Sequence, residues 1–251
     1  MKIEKKIFWI ALFAVVFGST QSYGDGWQIK KGENLKYKIA FSSALTGAVK
    51  GGEATLSINP TMVNVNGTST YHATLHGSTT GIIEWFYQVE DRYETFIDPK
   101  THAPAMFRQM IRENKYRKTD SVYFDQDSHV ASYKNKTISI PANTHDFVSM
   151  IYFVRTTDVD KLNKGDSFTV PFFTDGKVIK SNVIFNGIEQ VKVNKKWVNC
   201  YAFKPQVGQG KVFNQDYPAT IWFSTDSNRL PMLIEAKMKV GKVKMELLQS
   251  E

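Results

Sequence analysis

The sequence predicts a mainly β protein: one large antiparallel sheet of roughly 14 strands, curled into an open or partly closed barrel around a single short apolar helix. Three observations lead there. Apolar and polar residues alternate with period two through most of the chain after residue 25. Turn chemistry interrupts the alternation at Asn66-Gly67, Asp98-Pro99, Asp175-Gly176, Asn186-Gly187 and Gly241. One stretch, HDFVSMIYFVR over 145–155, is apolar on nearly every side of any helix wound from it.

Residues 1–24 read as a signal peptide. MKIEKK is a basic start, IFWIALFAVVF is an apolar run too short to span a bilayer, and Ser22 and Gly24 are small residues spaced for cleavage before Asp25. Residues 25–251 are then a single exported β domain, placed in the periplasm and carrying no membrane-spanning segment. Formal net charge is +8, and losing Lys2, Lys5, Lys6 and Glu4 with the leader leaves +6. The surplus is spread along the chain without a basic block interleaved with aromatics, which argues against nucleic acid. Cys200 is the sole cysteine, so no internal disulfide forms. Alternation in WVNCYAF places it beside Val198 as a small core residue.

LKYKIAF sets Leu35, Tyr37, Ile39 and Phe41 on one face and Lys36 and Lys38 on the other. Further strands follow in ATLSINP, MVNVNGTSTYHATLH, GIIEWFYQV, RYETFID, AMFRQMIREN and SVYFD. After the helix come DSFTVPFF, KVIKSNVIF, IEQVKVN, KWVNCYAF, ATIWFST, LPMLIEAKMKV and KVKMELL. So large a sheet twists and must curl or close. Its concave face needs an apolar filling, and the 145–155 helix supplies it. Asn143 or Thr144 would cap its start, with Asp146 at the positive end of its dipole and Arg155 at the negative end. Phe147, Met150, Ile151 and Val154 mark its principal apolar face.

Several segments resemble domain-of-unknown-function family 3108, exported proteins of Gram-negative bacteria. They are GENLKYKIAF, FYQVEDRYETFIDPKTHAPAMFRQMIRENKY, HDFVSMIYFVR, KGDSFTVPFFTDGK and IWFSTDSNRLPMLIEAKMKVGKVKMELL. The most specific pieces are Asp91…Asp98-Pro99…Pro104…Glu113 and Ser224-Thr225-Asp226…Arg229-Leu230-Pro231; Asn114 stands where a glycine is expected. The resemblance implies a curved antiparallel sheet wrapped around a helix, like a capsule-operon lipoprotein and, more distantly, the periplasmic lipoprotein carriers. It supplies no catalytic residues.

Chemistry-bearing motifs are sparse. His72 and His76 are four apart, but in a strand that separation is about 13 Å, too far for one ion. No metal or other cofactor is expected. Glu90 and Glu94 suit a glycan hydrolase, yet the plainer reading is a ladder of Glu94 and Asp98 opposite Arg108 and Arg112. Asp91, Asp98, Glu113 and Arg155 are expected in buried structural pairs. Gly208-Gln209-Gly210-Lys211 lacks Walker spacing.

The leading expectation is a non-catalytic carrier. It would hold a lipid or acyl chain between sheet and helix, against Phe147, Ile151, Val154, Trp85, Tyr87 and Trp222. A scaffold in surface-polysaccharide or outer-membrane assembly, with an envelope protein partner and a solid core, is the alternative; a hydrolase is the third. Lys237, Lys239, Lys242 and Lys244 stud the last hairpin as a solvated guard against aggregation, or as a contact for anionic headgroups or an acidic partner.

Overall fold

The computed structural model describes residues 27–43, 47–206, 213–239 and 241–251. The signal-peptide expectation and the Gly208–Lys211 segment lie outside the described residues. The strands are β1 (Asn34–Ser43), β2 (Gly47–Ile58), β3 (Val63–Val65), β4 (Thr68–Thr79), β5 (Glu90–Ile97), β6 (Pro104–Glu113), β7 (Tyr116–Asp125), β8 (Val130–Tyr133) and β9 (Lys136–Ser139). They continue with β10 (Ser167–Thr174), β11 (Lys177–Val193), β12 (Lys196–Pro205), β13 (Ala219–Ser224), β14 (Pro231–Met238) and β15 (Gly241–Ser250). Among the described residues two short α-helices interrupt them, α1 (Gly81–Phe86) and α2 (Ser149–Arg155), with a 3-10 turn at Val159–Lys161.

All strands join one antiparallel sheet in the order β10-β11-β12-β13-β14-β15-β1-β2-β4-β5-β6-β7-β8-β9, with β3 paired to β4 off this path. The order is a meander whose first and last strands meet in the middle, β1 against β15. Its free edges, β9 and β10, are separated in sequence only by the segment carrying α2.

The sheet curls until those edges approach without pairing. Phe173 of β10 stands edge-on to Phe124 of β7 and Tyr133 of β8, with ring centroids 5.6 and 5.7 Å apart. The Lys118 ammonium reaches Asp175 at 2.5 Å, from β7 to the β10–β11 turn. A Cβ on Gly176 of that turn would sit 3.1 Å from the Tyr133 ring, and its φ of +77° also calls for glycine. The barrel is thus closed by side chains, while its backbone ladder stays open. Edge β10 is covered by the approach to α2: His145 N–H donates to Pro171 and Phe173 N–H donates to the His145 carbonyl.

The inward face is the alternating one. Leu35, Tyr37 and Ile39 of β1, Leu56 and Ile58 of β2, and Leu75 of β4 are buried, joined by every residue of α2. The apolar segment therefore fills the hollow, because its all-round hydrophobicity leaves it no solvent-facing side.

Four local expectations need correction. GIIEWF is the helix α1 and not a strand. Asn186-Gly187 makes no turn: β11 runs through it as one strand of 17 residues, and the register shifts between Phe185 and Ile188 as a bulge that bends it. The β8–β9 hairpin adds strands in VASY and KTIS whose brevity left no readable alternation. The core helix begins at Ser149, not at 145, because His145 is committed to β10.

Candidate functional site

The interior helix is built from its ends. Asp146, not Asn143 or Thr144, satisfies its first donors: its Oδ1 accepts from the N–H groups of Val148 and Ser149 at 2.8 and 3.0 Å. Its Oδ2 accepts from the Thr95 hydroxyl at 2.6 Å, anchoring the helix start to β5. Burial pushes this carboxyl up to about 6, although those hydrogen bonds oppose the shift. Thr144 instead donates its hydroxyl to Pro141, and Asn143 sits at a φ of +55°. Burial likewise drives His145 down to about 3, so the imidazole is neutral.

At the other end, Arg155 forms a bidentate pair with Glu33 at 2.7 and 2.6 Å. Its guanidinium also lies 4.3 Å from the centre of the Trp27 ring and donates to the Asn228 carbonyl. Arg229 donates to the carbonyls of Arg155 and Thr157. The β13–β14 turn thereby satisfies the helix C-terminus. Arg155 was expected in a buried pair; its partner, 122 residues away, has no signal in the sequence.

Beside Phe147, at the start of this plug, the space is small. The void beside Phe147, lined also by Tyr93, Phe107 and Phe173, measures about 60 Å³. A small-molecule pocket is at least about 300 Å³. Of the six residues expected to line a cavity, Ile151 and Val154 are buried in the core and Phe147 borders the small void. Trp222 alternates with buried Ile221 and Phe223, and its indole N–H donates to Glu189. Tyr87 donates to Glu113. Trp85 is 83% exposed on α1. The six do not converge.

A different assembly appears at the end of the barrel where β4 passes into α1. Helix α1 buries none of its side chains, and Ile82, Trp85 and Phe86 are all exposed. It is held from both sides by backbone. Thr80 N–H donates to the Gly51 carbonyl of β2, and Gln88 exchanges two hydrogen bonds with Asn114 in the β6–β7 turn. Asn114 has φ +47°, which explains the expectation of glycine there; asparagine tolerates that backbone and adds the side-chain acceptor. Beside α1 lies an open cleft of about 820 Å³, lined by His76, Glu84, Glu90, Arg112 and Arg117 among others.

Beneath the cleft, Asp91 and Glu113 are buried close together. Burial pushes Asp91 up to about 7, helped by the Glu113 charge and opposed by the Arg112 N–H. Burial also raises Glu113, against the Tyr87 hydrogen bond. The expected ladder is present in part. Glu94 faces Arg108 across β5 and β6 at 3.5 Å and also meets Arg92 and His72 at 3.0 and 3.1 Å. Burial works against its ionisation, but hydrogen bonds and charge from Arg92 and His72 outweigh that and hold it below the usual range. Asp98 is no ladder member: its Oδ1 accepts from the N–H groups of Lys100 and Thr101 inside the turn. Glu90 pairs with Arg112 at 3.2 Å. The backbones of Glu90 and Glu94 stand about 13 Å apart along one strand, and each carboxylate is taken up in ion pairs.

Of the hairpin lysines, Lys242 pairs with Glu235 and Lys244 with Glu246. Lys237 stands opposite Lys242 in register, and both Lys237 and Lys239 are exposed. Among the described residues no group of three His, Cys, Asp or Glu is placed to hold a metal ion, and no helix is long and apolar enough to cross a membrane.

The fold is similar to that of a crystallised β-barrel-like protein of domain of unknown function DUF1849 from Brucella abortus. That match has 11% identity and a TM-score of 0.58, over 89% of this chain and 98% of that one. A DUF1329 family protein from Desulfovibrio piger aligns over 90% of this chain and 86% of its own at 8% identity, but its TM-score of 0.19 supports no comparison of structure. No curated protein matches the chain. A family model described as protein of unknown function, DUF3108, matches residues 36–248. With nearly the whole sheet inside that match, the chain belongs to the DUF3108 family.

Proposed function

We propose that this protein is an exported, non-catalytic interaction protein of the cell envelope, acting through its outer surface while its interior is occupied by its own helix. The observation that carries this reading is the void of about 60 Å³ beside Phe147. A lipid chain lodged between sheet and helix needs several times that space. The export leader read from residues 1–24 supports a periplasmic location, and the outer-membrane or surface-polysaccharide machinery is the setting the family resemblance implies. The engagement of Glu90 and Glu94 in ion pairs supports a structural role for them.

Mass spectrometry of organic extracts tests this, on protein purified from its native periplasm. The expected extract contains no lipid above background. A lipid recovered in stoichiometric amount would overturn the reading and restore the carrier.

A further inference from the structure

We propose that the α1 end of the barrel docks on an anionic lipid surface, with Ile82, Trp85 and Phe86 entering the interface and a surrounding set of cations holding the headgroups. This deepens the surface-acting reading above and rests on it by naming the partner.

The apolar side of the argument is exposure. Ile82 is 62% exposed, Trp85 83% and Phe86 70%. Three large apolar side chains within five consecutive residues form a patch, which a soluble surface rarely carries without use. Trp85 and Phe86 pack edge-on to each other with centroids 5.1 Å apart. Ile83 is half-buried against β2, where a Cβ on Gly51 would lie 3.5 Å from its side chain, while Ile82, Trp85 and Phe86 stay exposed. The fold presents this turn on backbone clamps at Thr80 and Gln88. An aromatic tip of this kind suits the headgroup boundary, where one end of an indole is apolar and the other wet.

The charged side of the argument is what surrounds the tip. At the β6–β7 turn clamped to Gln88 stand the exposed cations Arg112 of β6, Lys115 of the turn and Arg117 of β7. Across β2, register runs from Lys50 through Ala40 of β1 to Lys244 of β15, and Ser42 leads likewise to Lys242 and then Lys237. Neighbouring strands are about 4.8 Å apart, so Lys244 is roughly 10 Å from β2. Carboxylates are interspersed: Glu84 on α1 itself, Glu90 on Arg112, Glu53 on Lys50, Glu235 on Lys242 and Glu246 on Lys244. The cations outnumber them, and Lys237 and Lys239 at the hairpin end are exposed. Each Lys or Arg near an anionic surface contributes favourably to binding. An apolar protein groove would be served by the aromatics alone; the cationic surround selects a surface of negative charge.

The test is vesicle flotation with protein recovered from the periplasmic fraction, using phosphatidylcholine vesicles with and without phosphatidylglycerol. Binding is expected only to vesicles containing phosphatidylglycerol. It should weaken as salt rises from about 0.1 M to about 1 M, where the screening length falls from about 10 to about 3 Å. Trp85→Ser with Phe86→Ser should weaken it at least about tenfold with an unchanged thermal transition, since α1 buries nothing. Lys115→Glu, at a side chain outside the hydrogen bonds that hold α1, should weaken it as well. Absence of binding to the anionic vesicles, equal binding to both kinds, or full binding by the Trp85→Ser, Phe86→Ser variant would overturn the proposal. So would a dimer in solution that the same variant dissolves, because the patch would then belong to a second copy. None of these outcomes bears on whether the interior holds lipid, which the extraction experiment decides separately.

Discussion

Arg155 at the end of α2 and Glu33 ahead of β1 meet through two hydrogen bonds of 2.7 and 2.6 Å, with side chains only 1% and 5% exposed. The pair ties the interior helix to the entry of β1, the strand that pairs with β15. Removing one partner strands a charge in the core, whereas removing both does not. Glu33→Leu should therefore cost about 3–5 kcal/mol, and Glu33→Leu combined with Arg155→Met distinctly less. Urea unfolding of the single and double variants gives the coupling. Additive losses would show that the two groups act independently.

Asp91 sets a pH dependence. Its ordinary value is 3.8, and in the folded protein burial lifts it to about 7. Between those limits the folded state holds more protons than the unfolded chain, so stability falls as pH rises. The contribution is complete below about pH 4 and lost by about pH 7. Glu113, also raised, works in the same direction, while Glu94, Asp120 and Glu246, held low, contribute above about pH 4 and lose that contribution on acidification. Asp91→Asn should flatten the profile between pH 4 and 7 and stabilise the protein at pH 8 by on the order of 1–3 kcal/mol. Denaturant midpoints across that range check it, and a variant curve parallel to wild type would refute the assignment.

Asp146 should be among the most sensitive single positions. Asp146→Ala leaves the Val148 and Ser149 N–H groups and the Thr95 hydroxyl without an acceptor in the core. A loss of about 2–4 kcal/mol follows from the cap and the unsatisfied donors together. Asp146→Asn keeps an oxygen for the cap and should lose less. Equal losses for the two, measured by urea unfolding, would mean that the carboxylate's charge matters more than its acceptors.

Cys200 is fully buried, and burial pushes its thiol up to about 12. In the folded protein it should resist a thiol reagent at pH 8, and react once denaturant opens the sheet. Rapid modification under native conditions would contradict the packing of β12 against the core.

Several elements were legible because their sequence period is also their packing period. LKYKIAF alternates and becomes β1, with Leu35, Tyr37 and Ile39 inward. GIIEWF was not legible as a helix. Its residues are those of a strand, and it coils because Gly81, at φ +63°, turns the chain off the end of β4 while backbone bonds to Gly51 and Asn114 hold the turn. Trp85, expected in the interior as part of a strand, is consequently outside it. Asn186-Gly187 reads as a hairpin turn but makes a bulge, since the strand on either side finds the same partner, β12.

The sequence by itself determined the class of the molecule: a wrapped antiparallel sheet with one segment, inside 145–155, too apolar to face water. Periodicity and hydrophobicity are local properties, and each residue carries its own share of them. Only the tertiary structure decided that Glu33 answers Arg155, that Asp91 and Glu113 share a buried corner, that the space beside Phe147 is nearly filled, and that Trp85 faces outward. These depend on which strands the curl brings together, and distance in space between residues far apart in the chain leaves no trace in their spacing.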